Sequence, residues 1–300
     1  MGYPIYLKKF LPLSVVVFFV LLLQSLISSG THIIAKAVVK DIDPFTLTML
    51  RSAIATVILA AVMLVRKQPL AIEPRHFRSM LTLSIVAIPV NQFLFLTAMR
   101  YTTPSNAALL YSMTPVIVLL IVSFSRKERL SKTKAAGILI AFGGALSIIF
   151  EHGIDFHSEY TFGNILLALA VISWAWYTVA GRPMVLRYGA FPTIAMTIML
   201  GTVVYTPIGI TQTLRFNYAA ISWAHWGGVL YLSVGTSVVS YYLWYFALGR
   251  TEASKVAIFT YLQPVLTTLL AVILLGQSIS ATFVIGGLIA VAGVVLAQFG

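Results

Sequence analysis

The second half of the chain repeats a long segment of the first half. Residues 240–299 align with residues 91–150 at a constant shift of 149 positions, and the alignment needs no gap. About a quarter of the aligned positions are identical, well above what shared composition would produce. The identical pairs include Ala98/Ala247, Thr102/Thr251, Ser105/Ser254, Pro115/Pro264, Ser131/Ser280, Gly137/Gly286 and Gly144/Gly293. In a strongly apolar chain, such a duplication is typical of a membrane transporter built from two halves.

The composition predicts an all-α integral membrane protein. Hydrophobic residues make up 59% of the chain and charged residues only 9%, whereas a soluble domain has roughly 25% charged residues. Charge-free stretches such as 188–214, 216–249 and 256–300 reach or exceed the roughly 20 apolar residues that span a bilayer. The run after Lys8-Lys9 is too long for a signal peptide, so we expect it to be retained as the first helix.

The excess of basic over acidic residues has a simple explanation in a membrane protein. A net charge of +12 would suggest a nucleic-acid partner for a soluble protein. Here the Lys and Arg residues fall in short loops, where they fix orientation, so we expect no nucleic-acid partner. The chain has no Cys, which excludes disulfides and thiol chemistry. We expect neither a cofactor nor a metal ion.

Ten transmembrane helices are predicted, in one five-helix unit over residues 13–150 and a second over residues 161–299. Turn residues such as Asp43-Pro44, Thr103-Pro104 and Gly276 mark the breaks between helices. The predicted spans are 13–38, 45–66, 77–99, 104–125, 132–150, 161–185, 190–212, 223–248, 253–275 and 280–299.

The distribution of basic residues predicts the orientation. With the N-terminus in the cytoplasm, only Lys36, Lys40, Arg100 and Arg215 lie on the far side, whereas the other Lys and Arg residues, apart from Arg51 within a helix, lie on the cytoplasmic side. This bias predicts a multi-pass protein of the cytoplasmic (inner) cell membrane with both termini inside. Because each unit has an odd number of helices, the second unit should be inverted relative to the first. An inverted repeat suits alternating access, with the solute bound near mid-membrane.

Several short motifs occur in the predicted helices and in the turns between them. They are Pro44-Phe45 with Arg51, Ser173-Trp174-Ala175-Trp176-Tyr177 with Arg182, Ala98 to Ser105 and Pro115 with the copy Ala247 to Ser254 and Pro264, and the glycine pair in the last helix of each unit. Over residues 14–299 this set resembles the EamA-type members of the drug/metabolite transporter superfamily. The resemblance implies a ten-helix carrier that moves small metabolites, often outward. It also implies a central cavity among helices 1, 3, 4, 6, 8 and 9.

Polar and aromatic side chains inside the predicted helices are the candidates for the solute cavity. Lipid offers no partners to amides and hydroxyls, so these groups should face the protein interior. There they either bind solute or bond neighbouring helices, and aromatic residues either line the cavity or pack between helices. The candidates are Gln24, Ser28, His32, Asn91, Gln92, Trp174, Tyr177, Tyr241, Trp244, Tyr245 and Gln263.

Two ionisable residues inside the predicted helices leave alternatives open. His32 either forms a structural hydrogen bond or titrates during transport. Arg51 is expected near the membrane edge, with its side chain extended to the headgroups or bonded to helix-end carbonyls. The alternative for Arg51 is that it holds a carboxylate of the substrate.

Prolines and glycines recur at equivalent positions of the two units. Pro115 and Pro264 lack the N–H that would bond the carbonyl four residues earlier, which predicts a hinge or a kink that improves packing. Small residues allow close contact between helices, within the fold or at a dimer face. The glycines in this role are Gly137, Gly144, Gly286 and Gly293.

The sequence favours a carrier that exports small organic solutes, with amino acids and related metabolites as expected substrates. The alternative is an exporter of drugs or cationic amphiphiles, because an aromatic wall also attracts cations. An intramembrane lipid-modifying enzyme would need paired carboxylates, metal-spaced histidines or a Ser/Lys pair, and the predicted helices contain none of these. The expected partners are a small-molecule solute and the lipid bilayer, with the protein itself a monomer or a homodimer.

Overall fold

The fold is a bundle of helices. A computed structural model describes residues 13–68, 72–124, 132–149, 159–276 and 280–299. All the regular secondary structure in these ranges is helical. Seven of the helices, α1 to α4, α6, α7 and α9, are long and apolar enough to cross a membrane. The helices are α1 Leu13–Val38, α2 Pro44–Val65, α3 Pro74–Tyr101, α4 Pro104–Phe124, α5 Lys132–Ile149, α6 Glu159–Tyr188, α7 Ala190–Arg215, α8 223–248, α9 Ala253–Leu274 and α10 Ala281–Phe299.

The helices begin and end where the turn chemistry predicts. The carboxylate of Asp43 accepts a hydrogen bond of 3.0 Å from the backbone N–H of Thr46, and Pro44 occupies the first position of α2. Proline is favoured there because that N–H has no partner inside the helix. At the end of α9, Gly276 adopts a left-handed φ of 61°, which an L side chain would resist.

Two helices are wound more widely over part of their length. Residues Val86–Gln92 of α3 and Tyr231–Ser240 of α8 are π-helical. The first segment contains Pro89, which cannot donate the regular α-helical hydrogen bond. At the shift of 149 positions the two segments overlap, and π-helical segments are frequent at functional sites.

Regular α-helix is interrupted just before each of the two repeated prolines. In α4, a turn at residues 112–113 separates Pro104–Tyr111 from Thr114–Phe124, which contains Pro115. In α9, a 3₁₀ turn over Ile258–Tyr261 precedes Pro264. Both helices therefore change their winding near the middle of their length.

Contacts at the helix ends show how three helices run relative to one another. The Nζ of Lys36, near the end of α1, donates a 3.0 Å hydrogen bond to the carbonyl of Met99, near the end of α3. Gly163, near the start of α6, lies against Tyr101 at the end of α3. Tyr188, at the end of α6, contacts the first turn of α3. Thus α1 and α3 run in the same direction, and α6 runs in the opposite direction.

Two contacts between polar side chains connect helices α1–α5 with helices α6–α10 at opposite ends of the bundle. Beyond the end of α1, Asp41 Oδ2 lies 3.0 Å from Nε2 of His225 in α8. Before the start of α3, the carboxylate of Glu73 accepts a 2.9 Å hydrogen bond from Nε of Arg187 in α6. Arg187, together with Arg75, holds the pKa of the Glu73 carboxyl below its usual value.

Helices α5 and α10 pack along each other. Glycines in both helices are buried, which allows the backbones to approach closely. By contrast, a methyl group added at Gly143 or Gly287 would meet no atom within 4 Å. The buried glycines are Gly137, Gly144, Gly286 and Gly293.

Candidate functional site

A polar cavity lies among seven helices, at the level of the π-helical segments. Its volume is about 50 Å³, which is room for roughly four waters. The lining residues are Gln24, Ser28, Thr31 and His32 of α1, Arg51 of α2, Asn91 and Phe95 of α3, Tyr111 of α4, Trp174 of α6, Thr236, Ser240 and Tyr241 of α8, and Gln263 of α9.

Hydroxyl and amide groups join α1 to α8 along one wall of the cavity. The Nε2 of Gln24 donates to Ser28 Oγ at 2.7 Å and to Ser240 Oγ at 3.2 Å. The hydroxyls of Thr31 and Thr236 are 2.7 Å apart. Within the described residues, the buried Oε1 of Gln24 has no hydrogen-bond partner. This wall therefore holds an acceptor that a solute could use.

Asn91 joins α3, α4 and α6 at another part of the cavity wall. Its Nδ2 donates to the carbonyl of Ala170 in α6 at 2.7 Å and lies 3.2 Å from Ser173 Oγ. The hydroxyl of Tyr111 in α4 lies 3.4 Å from the same nitrogen. The amide of Asn91 thus bonds neighbouring helices and also forms part of the cavity surface.

His32 is surrounded by uncharged groups. Its Nε2 lies 3.4 Å from Oε1 of Gln263. The rings of Phe95 and Tyr111 pack on the imidazole, with centroids 5.6 Å and 5.4 Å away. Nδ1 is buried with no hydrogen-bond partner among the described residues. His32 therefore presents one satisfied and one unsatisfied ring nitrogen at the cavity.

The expectation that Arg51 lies at the membrane edge is wrong. Arg51 is only 2% exposed and lies on the cavity wall. Its Nε donates a 2.8 Å hydrogen bond to Oγ of Ser237, which is also 3.4 Å from Nε2 of Gln92. The physical reason is packing, because α2 lies against α7 and α8, and the side chain of Arg51 is buried between the helices. The cavity therefore contains a guanidinium.

The aromatic candidates divide into two groups. Trp174 and Tyr241 line the cavity with ring centroids 5.0 Å apart. Trp244 lies behind Trp174, where its Nε1 donates to Thr178 Oγ1 at 3.2 Å. The rings of Tyr177 and Tyr245 are stacked at 5.1 Å between α6 and α8. Tyr177, Trp244 and Tyr245 therefore contribute to helix packing behind the cavity wall.

The structure thus brings together most of the predicted candidates. Gln24, Ser28, His32, Asn91, Trp174, Tyr241 and Gln263 line the cavity, whereas Gln92 is buried beside it. The candidate set omitted Thr31, Arg51, Phe95, Tyr111, Thr236 and Ser240. The repeat itself contained a signal for one of them, since Ser240 is the residue that aligns with Asn91 at the shift of 149.

The chemistry of the cavity is that of binding. Its polar groups are amides, hydroxyls, one imidazole and one guanidinium. In the part of the chain that the structure describes, no three His, Asp or Glu residues form a group that could hold a metal ion. The amides, hydroxyls and imidazole of the lining can hold a small solute by hydrogen bonds, and the guanidinium adds one full positive charge.

Known proteins resemble the chain over nearly its whole length. A sequence profile described as the EamA-like transporter family matches residues 15–150 and 161–299. An uncharacterized transporter of Archaeoglobus fulgidus is 33% identical over 286 residues, which cover 92% of this chain and 95% of that protein. The aromatic amino acid exporter YddG of Ancylobacter novellus is 25% identical over 186 residues, covering 60% of this chain and 62% of that protein.

A crystal structure supports the same fold. It superposes with a TM-score of 0.71 over 95% of this chain and 96% of its own, at 23% sequence identity. Apolar helices long enough to cross a bilayer, a polar cavity among them and relatives that are named transporters all agree with membrane transport. The chain belongs to the EamA-like transporter family, within the drug/metabolite transporter superfamily.

Proposed function

We propose that the protein is a carrier that exports small organic solutes, amino acids or related metabolites, by alternating access through the central cavity. Its two units, residues 13–150 and 161–299, are inverted repeats of five helices each, in the cytoplasmic membrane with both termini inside. The observation that carries the proposal is the cavity itself, a small polar space inside helices whose outer surfaces are apolar. Buried polar groups among membrane helices mark solute pathways.

The directions of the helices support the inverted arrangement. In the first unit, α1 and α3 run in one direction, and α6 of the second unit runs in the other. Gly228, near the start of α8, lies against Val38 at the end of α1, so α8 also runs opposite to α1. At the other end, Nε of Arg182 in α6 donates to the carbonyl of Thr251 just beyond α8, at 3.2 Å.

The size of the cavity supports a conformational cycle. A volume of about 50 Å³ is smaller than the roughly 300–1,000 Å³ of a ligand pocket. An amino acid therefore needs the surrounding helices to separate. The interrupted helices around Pro115 and Pro264 are suited to this movement, since their winding already departs from regular α-helix.

Amino acids fit the lining better than the alternative substrates do. The amides and hydroxyls can bond an amino or carboxyl group, and Trp174 and Tyr241 offer ring faces to an apolar side chain. The relative named as an aromatic amino acid exporter supports the same class. Those two rings would also attract a cationic amphiphile, but the buried Arg51 repels one.

Counterflow into proteoliposomes tests the proposal. Vesicles that contain the purified protein are preloaded with unlabelled amino acids, and a labelled aromatic amino acid is added outside. We expect saturable counterflow, reduced about tenfold or more by Tyr241→Leu because a cavity ring is lost. The matched control is Tyr242→Leu, whose ring packs on Phe191 and Phe246 outside the cavity. If folded protein shows no amino-acid counterflow but takes up cationic dyes, the alternative substrate class replaces this one.

A further inference from the structure

The geometry points to Arg51 as the group that binds a carboxylate of the transported solute. The inference rests on the proposed function and narrows it to solutes that carry a carboxylate. Solutes of the same shape in which an amide replaces that carboxylate should bind more weakly.

Arg51 is a buried cation without an anionic partner among the described residues. The acidic residues that the structure describes are Asp41, Asp43, Glu73, Glu159 and Glu252, and all lie at helix ends or in loops. None of them forms an ion pair with Arg51. Removing a guanidinium from water costs several kcal/mol unless an opposite charge or strong hydrogen bonds compensate it. A bound carboxylate would supply that compensation.

The surroundings of Arg51 hold the side chain in place for such a ligand. Ser237 Oγ accepts the hydrogen bond from Arg51 Nε and is 3.1 Å from the carbonyl of Leu232, to which it donates its proton. The hydroxyls of Tyr111 and Tyr241 lie beside the guanidinium. Nε donates to Ser237, and the hydroxyl of Tyr241 is within hydrogen-bonding reach of the guanidinium. The remaining N–H donors of the terminal amino groups can pair with a carboxylate. Arginine matches the two oxygens of a carboxylate better than lysine does, because its donors form a planar fork.

The remaining lining gives the ligand a second point of attachment. The unpaired Oε1 of Gln24 is an acceptor on the same cavity wall, and Trp174 and Tyr241 present ring faces. An ammonium group could use these acceptors and faces without a carboxylate of the protein. The lining provides a full charge for the carboxyl end of a solute and only dipoles for its amino end. Discrimination should therefore be strongest at the carboxyl end.

The test compares each amino acid with its amide. Unlabelled amino acids and their carboxamides compete for counterflow, with 3-phenylpropionate as a carboxylate that lacks the amino group. In the wild-type protein we expect each amide to compete about 10- to 100-fold more weakly than its acid, the loss expected for a charge-assisted hydrogen bond. Arg51→Gln should abolish this difference, and Arg51→Lys should retain only part of it. Equal competition by acid and amide in the wild-type protein would overturn the inference.

A binding measurement separates this inference from the proposed function. The thermal unfolding temperature of the purified protein is measured with the same pairs of acid and amide, because a ligand that binds the folded state raises it. Stabilisation by the acids alone, lost in Arg51→Gln, would support carboxylate binding by Arg51, here called the anchor. This would hold even if counterflow were absent and the proposed function were wrong. The matched control is Arg66→Gln, an exposed arginine just beyond the end of the same helix. Stabilisation that is equal for acids and amides, absent for both, or unchanged in Arg51→Gln would refute the anchor.

Discussion

At the scale of single residues, the amide of Asn91 gives a direct test of how the cavity wall is held together. Its Nδ2 donates to the carbonyl of Ala170 across the contact between α3 and α6. Asn91→Leu removes this bond while the apolar volume is kept. We expect the free energy of unfolding in detergent to fall by about 1 kcal/mol, the usual scale of such bonds between membrane helices. Thermal unfolding followed by tryptophan fluorescence measures the change.

The control for Asn91 is an exposed residue of the same helix. Thr82 donates only to the carbonyl of Arg78 within α3, so Thr82→Val should leave the unfolding temperature nearly unchanged. Asn91→Asp should be more damaging than Asn91→Leu, because an ionised carboxylate would face the carbonyl oxygen of Ala170. Equal unfolding temperatures for Asn91→Leu and Thr82→Val would contradict the assigned role.

Single residues also show where sequence reasoning succeeds. Gln24, Asn91 and Gln263 could be placed inside the protein because lipid offers an amide no partner. The same reasoning failed for Arg51, since a long side chain in the second turn of a helix can usually reach the headgroups. Only the packing of α2 against its neighbours decides whether Arg51 lies at the membrane edge or on the cavity wall. The spacing of residues along α2 does not predict that packing.

At the scale of helices, close packing between α3 and α7 depends on Gly201. A methyl group at this position would lie 2.8 Å from the carbonyl oxygen of Ser84 and 2.6 Å from Cγ1 of Ile88. Ser84 lies just before the π-helical segment of α3, and Ile88 lies within it. Gly201→Ala should therefore lower the free energy of unfolding by about 1–3 kcal/mol through overpacking. Gly143→Ala is the matched control, and it should be neutral or slightly stabilising because alanine favours helix.

Unfolding temperatures in one detergent measure both glycine variants. A Gly201→Ala protein as stable as the wild type would show that α3 and α7 can separate without cost. Helix positions were largely predictable, because proline, capping residues and glycine mark their ends. The π-helical segments were not predictable. The one in α3 depends on how the carbonyls near Pro89 find donors after the helices have packed, and the one in α8, Tyr231–Ser240, contains no proline to mark it.

At the scale of the whole molecule, the two side-chain contacts between helices α1–α5 and helices α6–α10 should act as closures at opposite ends of the cavity. Asp41 with His225 connects the end of α1 to α8, and Glu73 with Arg187 connects the start of α3 to α6. His76 and His225 occupy equivalent positions at the shift of 149. In alternating access each end must open in turn. A permanent link at either end should therefore stop transport.

The native chain has no Cys, so introduced cysteine pairs carry the only thiols. We expect a short bis-methanethiosulfonate cross-linker, which forms a reducible disulfide with each cysteine and releases sulfinate, to abolish counterflow in Asp41→Cys/His225→Cys and in Glu73→Cys/Arg187→Cys. Cleaving the link with reductant should restore transport in both, because only the opening of one end was blocked. The control pair, Lys36→Cys/Arg100→Cys, joins α1 to α3. In the native protein, Nζ of Lys36 already donates a 3.1 Å hydrogen bond to the backbone carbonyl of Arg100. The control link should leave counterflow active if helices α1–α5 move as one body. Full activity with the Asp41–His225 or the Glu73–Arg187 pair cross-linked would show that this end of the cavity does not open during transport.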